Sequence, residues 1–359
     1  MSFWYGKRVL ITGHTGFKGS WLSLWLQRMG AEVVGYSAAP PTIPNMYSQV
    51  RVGDHMMSIY GDIRDLQQLQ DTIRRYDPEI IFHLAAQSLV RESYLNPLET
   101  FSTNIMGTVN LFEASRSANN LRVLINVTSD KCYENNEWSR GYRESDPMGG
   151  HDPYSASKGC AELITSSYRR SYFSQGEHSH HISVSSVRAG NVIGGGDWAK
   201  DRLIPDIIRS IQSRQPLLIR NPSAIRPWQH VLEPINGYLL LAQKMWEHGT
   251  VFGDAWNFGP NEGDALSVSS LLEIFSRTWD EKLSVHVCEG THNPHEAGLL
   301  NLDCSKATHQ LGWRPYLPVR NAVEWLTNWY RAYFQEEDLR ETTIKQIARY
   351  EEIIKESNL

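Results

Sequence analysis

The stretch KRVLITGHTGFKGS, Lys7 to Ser20, decides the fold. Lys7–Thr12 is a short apolar strand pattern, and Phe17–Met29, closed by Gly30, has helical spacing. Between them Gly13, Gly16 and Gly19 fall as GxxGxxG, one residue wider than the usual dinucleotide fingerprint. Glycines at such a turn permit close backbone approach, and a helix N-terminus offers free N–H groups and a positive dipole end to a pyrophosphate. Gly13, His14, Gly16, Phe17 and Gly19 are therefore the candidate cofactor cradle. An ordinary βα turn is the alternative, and the place of the motif between strand one and helix one argues against it.

Outward from this turn the pattern repeats. Glu32–Tyr36 is a second strand, Ser58–Tyr60 ends a third, Arg64–Arg75 is helical and Glu79–His83 is a fourth strand. Asn104–Ala118 and Tyr154–Tyr172 are helical, and Arg122–Val127 and Ile182–Val187 are strands. Apolar strands alternating with helices predict a Rossmann-type α/β fold, a doubly wound parallel sheet covered on both faces. After residue 190 the rhythm breaks at Gly194–Gly196, and Pro205, Pro216, Pro222, Pro227 and Pro234 recur. Short helices, Ile204–Ser213, Val268–Trp279 and Arg320–Phe334, alternate with loops. The expected organisation is a dinucleotide-binding domain over 1–190 and a smaller, irregular α/β substrate lobe over 191–334, with some segments returning to the large domain. A charged C-terminal helix over 335–359 completes the chain.

Composition agrees. A chain of 359 residues suffices for one large α/β unit with an appended lobe. The 35 basic and 40 acidic residues leave a net charge of −5, so no basic surplus exists to neutralise a nucleic-acid backbone. Cys132, Cys160, Cys288 and Cys304 form no CxxC pair and no metal-ligand spacing, which predicts neither a metal site nor a disulfide framework. The N-terminus MSFWYGKRVLITG lacks a signal-peptide pattern, and no apolar run is long enough to span a bilayer. A soluble cytoplasmic protein without a membrane partner is expected. The 12 tryptophans suit stacking surfaces or a large core.

An acid normally ends strand two and binds the adenine ribose of NAD. Tyr36 and Ser37 stand there instead, so that contact does not decide between NAD and NADP. The absence of a basic residue before Arg51 argues mildly against a 2′-phosphate. Asp62, after the third strand, either caps the next helix or contacts adenine.

Tyr154-Ser-Ala-Ser-Lys158 sets a phenol and an ammonium four residues apart on one helix face. A free tyrosine titrates at about 10, so a base at neutral pH needs about 4 kcal/mol of phenolate stabilisation. A neighbouring Lys⁺ and an oxidised nicotinamide can supply it. Strand five ends in Thr128-Ser129-Asp130-Lys131-Cys132-Tyr133, at the sheet edge where ligands sit in such folds. Ser129 can hydrogen-bond a reacting hydroxyl. Asp130, protonated, is an acid, and Lys131, desolvated, is a base. The competing reading of Asp130 and Lys131 is a solvated loop pair.

Together TGHTGFKGS (12–20), HLAAQ (83–87), TSDKCY (128–133), YSASK (154–158), RAGNVIG (188–194) and RPWQHV (226–231) resemble the extended short-chain dehydrogenase/reductase superfamily. Within it they resemble the nucleotide-sugar 4,6-dehydratases, over residues 7–330. The resemblance implies NAD as cofactor, with Gly13, Gly16 and Gly19 at the pyrophosphate, Asp62 and Ile63 beside adenine, and Leu84, Ala85 and Ala86 lining it on strand four. It implies Tyr154 as the redox base, Lys158 as its electrostatic partner and a ribose ligand, Ser129 as the active-site hydroxyl, and Asp130 as the acid for the leaving C6 hydroxyl. Asn104 matches a helix asparagine with a structural role. Gln87, Asn191 and Arg226 are implied on the substrate side. Asn191 and Arg226 would meet the sugar diphosphate, where a guanidinium forks onto phosphate oxygens. Arg202, with Lys200, adds charge there or is solvated.

Dehydratases of dTDP-glucose carry Glu after that Asp. Lys131 stands there in this chain and resembles the CDP-sugar branch, which implies CDP-glucose as substrate. The implied reaction is C4 oxidation, loss of water across C5 and C6, and return of hydride to C6. Lys131 serves as the C5 base only if its pKa falls from about 10.4 toward about 7 to 8. His14 replaces the smaller residue common in the turn and is expected to crowd the pyrophosphate and weaken NAD binding. The remaining readings are another NAD(P)-dependent nucleotide-sugar dehydratase, a 4-epimerase, or a non-catalytic dinucleotide sensor. An epimerase needs no acid/base pair after Ser129. A sensor needs no intact Ser129, Tyr154 and Lys158. Members of the superfamily often form homodimers through two helices, here 95–118 and 154–172, where Leu163, Ile164 and Tyr168 are either contact or core. The product would lie on a route to deoxysugars of bacterial surface polysaccharide such as O-antigen.

Overall fold

The computed structural model describes residues 2–173, 182–280, 283–287 and 298–357. Cys288 and the last two residues of the expected terminal helix lie outside them. Seven strands form the central sheet: β1 (Arg8–Thr12), β2 (Glu32–Ser37), β3 (Met57–Tyr60), β4 (Ile80–His83), β5 (Val123–Val127), β6 (Ser183–Arg188) and β7 (Ala255–Asn257). Their order is β7-β6-β5-β4-β1-β2-β3, with every pairing parallel. The order reverses between β1 and β4. At such a point the connections leave in opposite directions and open a crevice beyond the carboxyl ends of the strands.

The main helices are α1 (Phe17–Arg28), α2 (Leu66–Tyr76), α3 (Gly107–Arg116), α4 (Pro153–Tyr168), α5 (Leu203–Ser213), α6 (Leu232–His248), α7 (Val268–Trp279), α8 (Val319–Phe334) and α9 (Leu339–Ser357). Alternate strand residues feed opposite faces, as the pleat demands. Val9, Ile11, Ile80, Phe82, Val123 and Ile125 pack with Trp21, Leu232 and Trp329. Leu10, Ile81 and Leu124 pack on the other side with Leu69, Leu111 and Phe112. The fully buried Trp21, Trp256, Trp313 and Trp329 are core residues.

Several element ends differ from expectation. Asp65, not Asp62, caps α2, its carboxylate accepting from the Gln68 N–H at 2.9 Å. The helix expected over 104–118 opens as a π turn, Ser102–Met106, before becoming α3. Helix α6 was not anticipated. Pro234 looked like a breaker, yet it falls in the first turn, where proline is tolerated. The helix is also buried on several sides, so it lacks a clean polar face. Through α6 and β7 the large domain continues well beyond residue 190.

The lobe carries three two-stranded pairs, 192–193 with 229–230, 217–219 with 285–287, and 225–227 with 265–267, beside α5, α7 and α8. Helix α9 is charged, as expected, but one face is docked. Leu339, Thr343, Ile347 and Tyr350 are buried, and Glu351 accepts from Trp25 Nε1 at 2.9 Å on α1. On α4, Ile164 and Tyr168 pack against the core, whereas Leu163 is 61% exposed.

Candidate functional site

The glycine turn is built for close approach. Gly13 sits at φ +78°, and a Cβ there would lie 2.7 Å from Ala85 N. A Cβ on Gly19 would lie 2.1 Å from Gly13 O. Gly16 begins α1 without any side-chain cap, so the first-turn N–H groups remain for an external anion. The turn faces Leu84–Ala86 at the crevice, Leu84 N donating to Thr12 O at 3.0 Å. This arrangement fits a dinucleotide pyrophosphate. Phe17 is half-buried beside Gly194.

His14 does not do what its position suggested. Its ring lies over Gly35, where a Cβ would come within 2.3 Å of His14 Cγ, and Nε2 bonds Ser58 Oγ at 2.6 Å. The side chain therefore packs on β2 and β3 and does not crowd the pyrophosphate. Burial pushes its pKa down to about 4, which keeps it neutral. At the end of β2, Tyr36 is core, donating to Asp62 O and Gln68 Oε1. Ser37 Oγ lies 2.8 Å from Thr15 Oγ1, beside the turn. The Asp62 carboxylate holds the Arg64 N–H at 2.8 Å and its guanidinium at 2.9 Å. Ile63 is buried against Gly107.

Pro153 and the Asp152 cap start α4, so Tyr154 falls in its first turn and Lys158 one turn later. Both are buried. Glu162, a further turn along, accepts a bidentate Arg188 at 2.8 and 2.9 Å and a bond from Ser186 Oγ at 2.6 Å. Burial lowers the Lys158 ammonium to about 8, against the pull of Glu162. Burial raises Tyr154 to about 12, only partly opposed by the Ser129 hydroxyl and Arg202. The Lys158 ammonium and an oxidised nicotinamide together were expected to stabilise the phenolate. The ammonium lies 6.0 Å from the Tyr154 ring centroid and donates to Val127 O at 3.4 Å, so burial of the phenol outweighs it.

Ser129 Oγ donates to Asp130 Oδ1 at 2.9 Å. Asp130 is buried at 3% exposure and packs on Gly190, where a Cβ would stand 1.9 Å from Oδ2. The solvated-pair reading therefore fails for Asp130. Lys131 is half-buried, its N–H donating to Ser129 Oγ at 3.3 Å. Asn104, inside the π turn, accepts from Gln87 N at 2.8 Å and donates to Ser157 Oγ at 2.9 Å, a structural role.

The substrate-side residues are less gathered. Asn191 turns the chain after β6 at φ +41°. Arg202 donates to Asp197 Oδ2 at 3.0 Å and Ser88 Oγ at 3.2 Å, and its charge reaches Tyr154. Gln87 departs from expectation: its amide is spent on Leu89 O and Thr100 Oγ1, at 3.0 and 2.9 Å, fixing the turn after β4. Arg226 bonds Ile225 O and Gly298 O within the lobe, and no contact among the described residues joins it to the Tyr154 cluster. Two residues not singled out in the sequence lie within electrostatic reach of Asp130. Lys18, within the glycine turn, places Nζ 3.5 Å from the hydroxyl of Tyr238 on α6. The signal for Lys18 was a charged residue opening an otherwise apolar helix, whereas Tyr238 left none.

Among the described residues no group of His, Cys, Asp and Glu is placed to hold a metal ion, and no helix is long and apolar enough to cross a membrane. The family model for GDP-mannose 4,6 dehydratase matches residues 10–325. A CDP-glucose 4,6-dehydratase of Salmonella typhimurium is 51% identical over 350 residues, covering 97% of each chain. Among solved structures, dTDP-glucose 4,6-dehydratase of Bacillus anthracis, in complex with NAD, superposes with a TM-score of 0.75 at 20% identity, over 91% of this chain and 97% of that one. UDP-glucose 4-epimerase of Thermotoga maritima, with UDP-glucose, gives 0.77 at 20% identity, over 91% and 99%. These two likenesses speak to the fold.

Proposed function

From the premise that the chain belongs to the GDP-mannose 4,6 dehydratase family of extended short-chain dehydrogenases, we propose that it dehydrates CDP-D-glucose to CDP-4-dehydro-6-deoxy-D-glucose, with NAD recycled in each turnover. The carrying observation is that Ser129, Asp130 and Tyr154 meet in one buried cluster at the carboxyl end of β5. That cluster offers a group for the O4 proton and a separate acid for the C6 hydroxyl, and a 4-epimerase has no use for the second. The identity to a CDP-glucose 4,6-dehydratase supports the pyrimidine.

Gly13, Gly16, Gly19 and the first turn of α1 would hold the pyrophosphate, with Leu84–Ala86 along the cofactor and Lys158 at the ribose. When bound, NAD supplies the acceptor for hydride from C4, returns that hydride to C6, and sets a positive ring beside Tyr154. Tyr154 takes the O4 proton, oriented by Ser129. The resulting C4 ketone acidifies C5–H. Lys131 removes the C5 proton, Asp130 protonates the C6 hydroxyl and water leaves; as hydride reaches C6, Lys131 returns a solvent-exchanged proton to C5. Arg202, Asn191 and Arg226 serve the diphosphate side. A second copy of the chain would cover Leu95, Leu98, Met106 and Leu163, which are exposed on neighbouring helices, and the cytoplasm is the compartment that provides both nucleotides.

The test is one incubation of the protein with NAD⁺ and CDP-glucose in heavy water, followed by mass spectrometry. Loss of water with one deuterium fixed at C5 and no net NADH is expected. An unchanged mass with appearance of the C4 epimer would overturn the roles of Asp130 and Lys131. Reaction with dTDP- or GDP-sugars alone would overturn the nucleotide.

A further inference from the structure

The turn that carries Asp130 and Lys131 is anchored differently at its two ends. Asp130–Cys132 form a single 3-10 turn between β5 and Tyr133. At the leading end, Thr128 N donates to Val187 O at 2.9 Å and the Thr128 hydroxyl donates to Glu162. That end holds Ser129 against α4, within hydrogen-bond reach of Tyr154. At the trailing end stands Tyr133, buried and stacked on Tyr142 with 5.2 Å between ring centroids. Arg188 Nη1 donates to the Tyr133 hydroxyl, which donates in turn to Asn257 Oδ1 at 2.8 Å. The sense of this chain is forced. An arginine can only donate, and Asn257 Nδ2 is already spent on Tyr142 O at 2.8 Å and Asp303 O at 3.1 Å. Burial keeps the phenol neutral, so it accepts on one side and donates on the other.

Asp130 and Lys131 depend on this turn to different degrees. The Asp130 carboxylate has its own supports, the Ser129 hydroxyl and the close packing on Gly190. Among the described residues the Lys131 ammonium makes no hydrogen bond and no ion pair, and only its backbone N–H is engaged, with Ser129 Oγ. Where that ammonium stands is therefore set by the backbone on either side of it. Tyr133, two residues on, is the first side chain after it that is tied to the sheet, through Arg188 on β6 and Asn257 on β7. A displacement of about 1 Å in a group that moves a proton can cost about a hundredfold in rate.

We propose that Tyr133 is a positioning residue for the elimination half of the reaction: its hydroxyl, held between Arg188 and Asn257, fixes the backbone after Lys131 and so the place where the free ammonium meets C5–H. The inference rests on the dehydratase reading. Oxidation at C4 uses Tyr154 and Ser129, which α4 and the leading end of the turn hold without Tyr133. Loss of the Tyr133 hydroxyl therefore separates the two halves.

The test is Tyr133→Phe, which keeps the ring against Tyr142 and removes only the hydroxyl. Wild type and variant, each with NAD⁺, are mixed rapidly with CDP-glucose. Absorbance follows the reduced nicotinamide, and mass spectrometry of quenched samples follows water loss. In the variant the nicotinamide is expected to be reduced at the wild-type rate while water loss slows about tenfold or more. Reduced nicotinamide and a 4-ketone that keeps its C6 hydroxyl then build up above the wild-type level during turnover. Arg188→Lys keeps a cation beside Glu162 but loses the fork that reaches Tyr133. It should give the same split, and it carries the test if the Phe variant does not fold. Both steps slowed by the same factor, as a general loosening would give, overturns the inference and leaves the dehydratase reading intact. Water loss at the wild-type rate does the same. A wild-type protein that releases no water from any CDP-, dTDP- or GDP-sugar overturns both.

Discussion

The inner face of α4 and the arm from Asp197 to Arg202 bring charge to the same cleft and hold it in opposite ways. On α4, Lys158, Glu162 and the facing Arg188 are all buried. Glu162 alone accepts from Arg188, Ser186 and Thr128. Along the arm, the Arg202 side chain is 35% exposed and rests on one carboxylate and one hydroxyl. Its neighbour Asp201 pairs with the partly exposed Arg91 and Arg220. Buried groups with several partners have one geometry and pKa values set by burial. Half-exposed ion pairs are weak, screened by salt and able to rearrange. The first arrangement suits proton transfer, which tolerates little displacement. The second suits admission of a charged substrate.

The sharpest way to break this contrast is at Tyr154. Tyr154→Phe is expected to lower kcat about a thousandfold while the melting temperature holds. Turnover within tenfold of wild type would remove α4 from the chemistry. Next comes Glu162→Ala, which strands Arg188 without its anion and is expected to cost about 3–5 kcal/mol in urea unfolding. Asp201→Ala on the arm is expected to cost less than about 1 kcal/mol in the same experiment. Equal losses would erase the distinction. Arg202→Met is expected to raise KM for CDP-glucose about tenfold, with the wild-type KM rising with salt. A salt-independent KM would show that the arm does not grip the substrate through exposed charge.

The same contrast extends to pH. Lys158 titrates at about 8 in the folded protein, below its ordinary value of 10.5. Between those values the unfolded chain binds more protons than the folded one, so stability rises with pH across that window. Lys18 is lowered to the same region and adds to the rise. Unfolding free energies measured from pH 7.5 to 9.5 should climb for the wild type and climb less for Lys158→Met. Parallel curves would mean that Lys158 is not held against its solvation.

The doubly wound half was legible because its strands alternate between two apolar clusters and its turns carry glycine or capping acids at interpretable places. Val9, Leu10 and Ile11 already point to opposite faces in the sequence pattern. Tyr154 and Lys158 were legible because helical spacing alone puts them on one face. What stayed hidden depends on direction in space. Nothing local says that the His14 ring turns onto Gly35 and away from the ligand, or that the Gln87 amide folds back onto its own loop. Spacing places Arg226 in its motif but does not say that Nη1 of its guanidinium rests on carbonyls of the lobe. Helix α6 was masked by Pro234 and by burial on several sides, and Tyr238 was hidden with it.

Strand β7 reaches its place beside β6 only after the chain has passed through much of the lobe. During synthesis β6 therefore waits as an open edge, and the α1 side of the sheet waits for Leu232, Ile235 and their neighbours. A fragment ending at residue 190 would expose unpaired backbone and an uncovered apolar face, an invitation to aggregate. The two functional halves cannot be separated by cutting the chain once, because the ribosome has to deliver the lobe before the older domain can close.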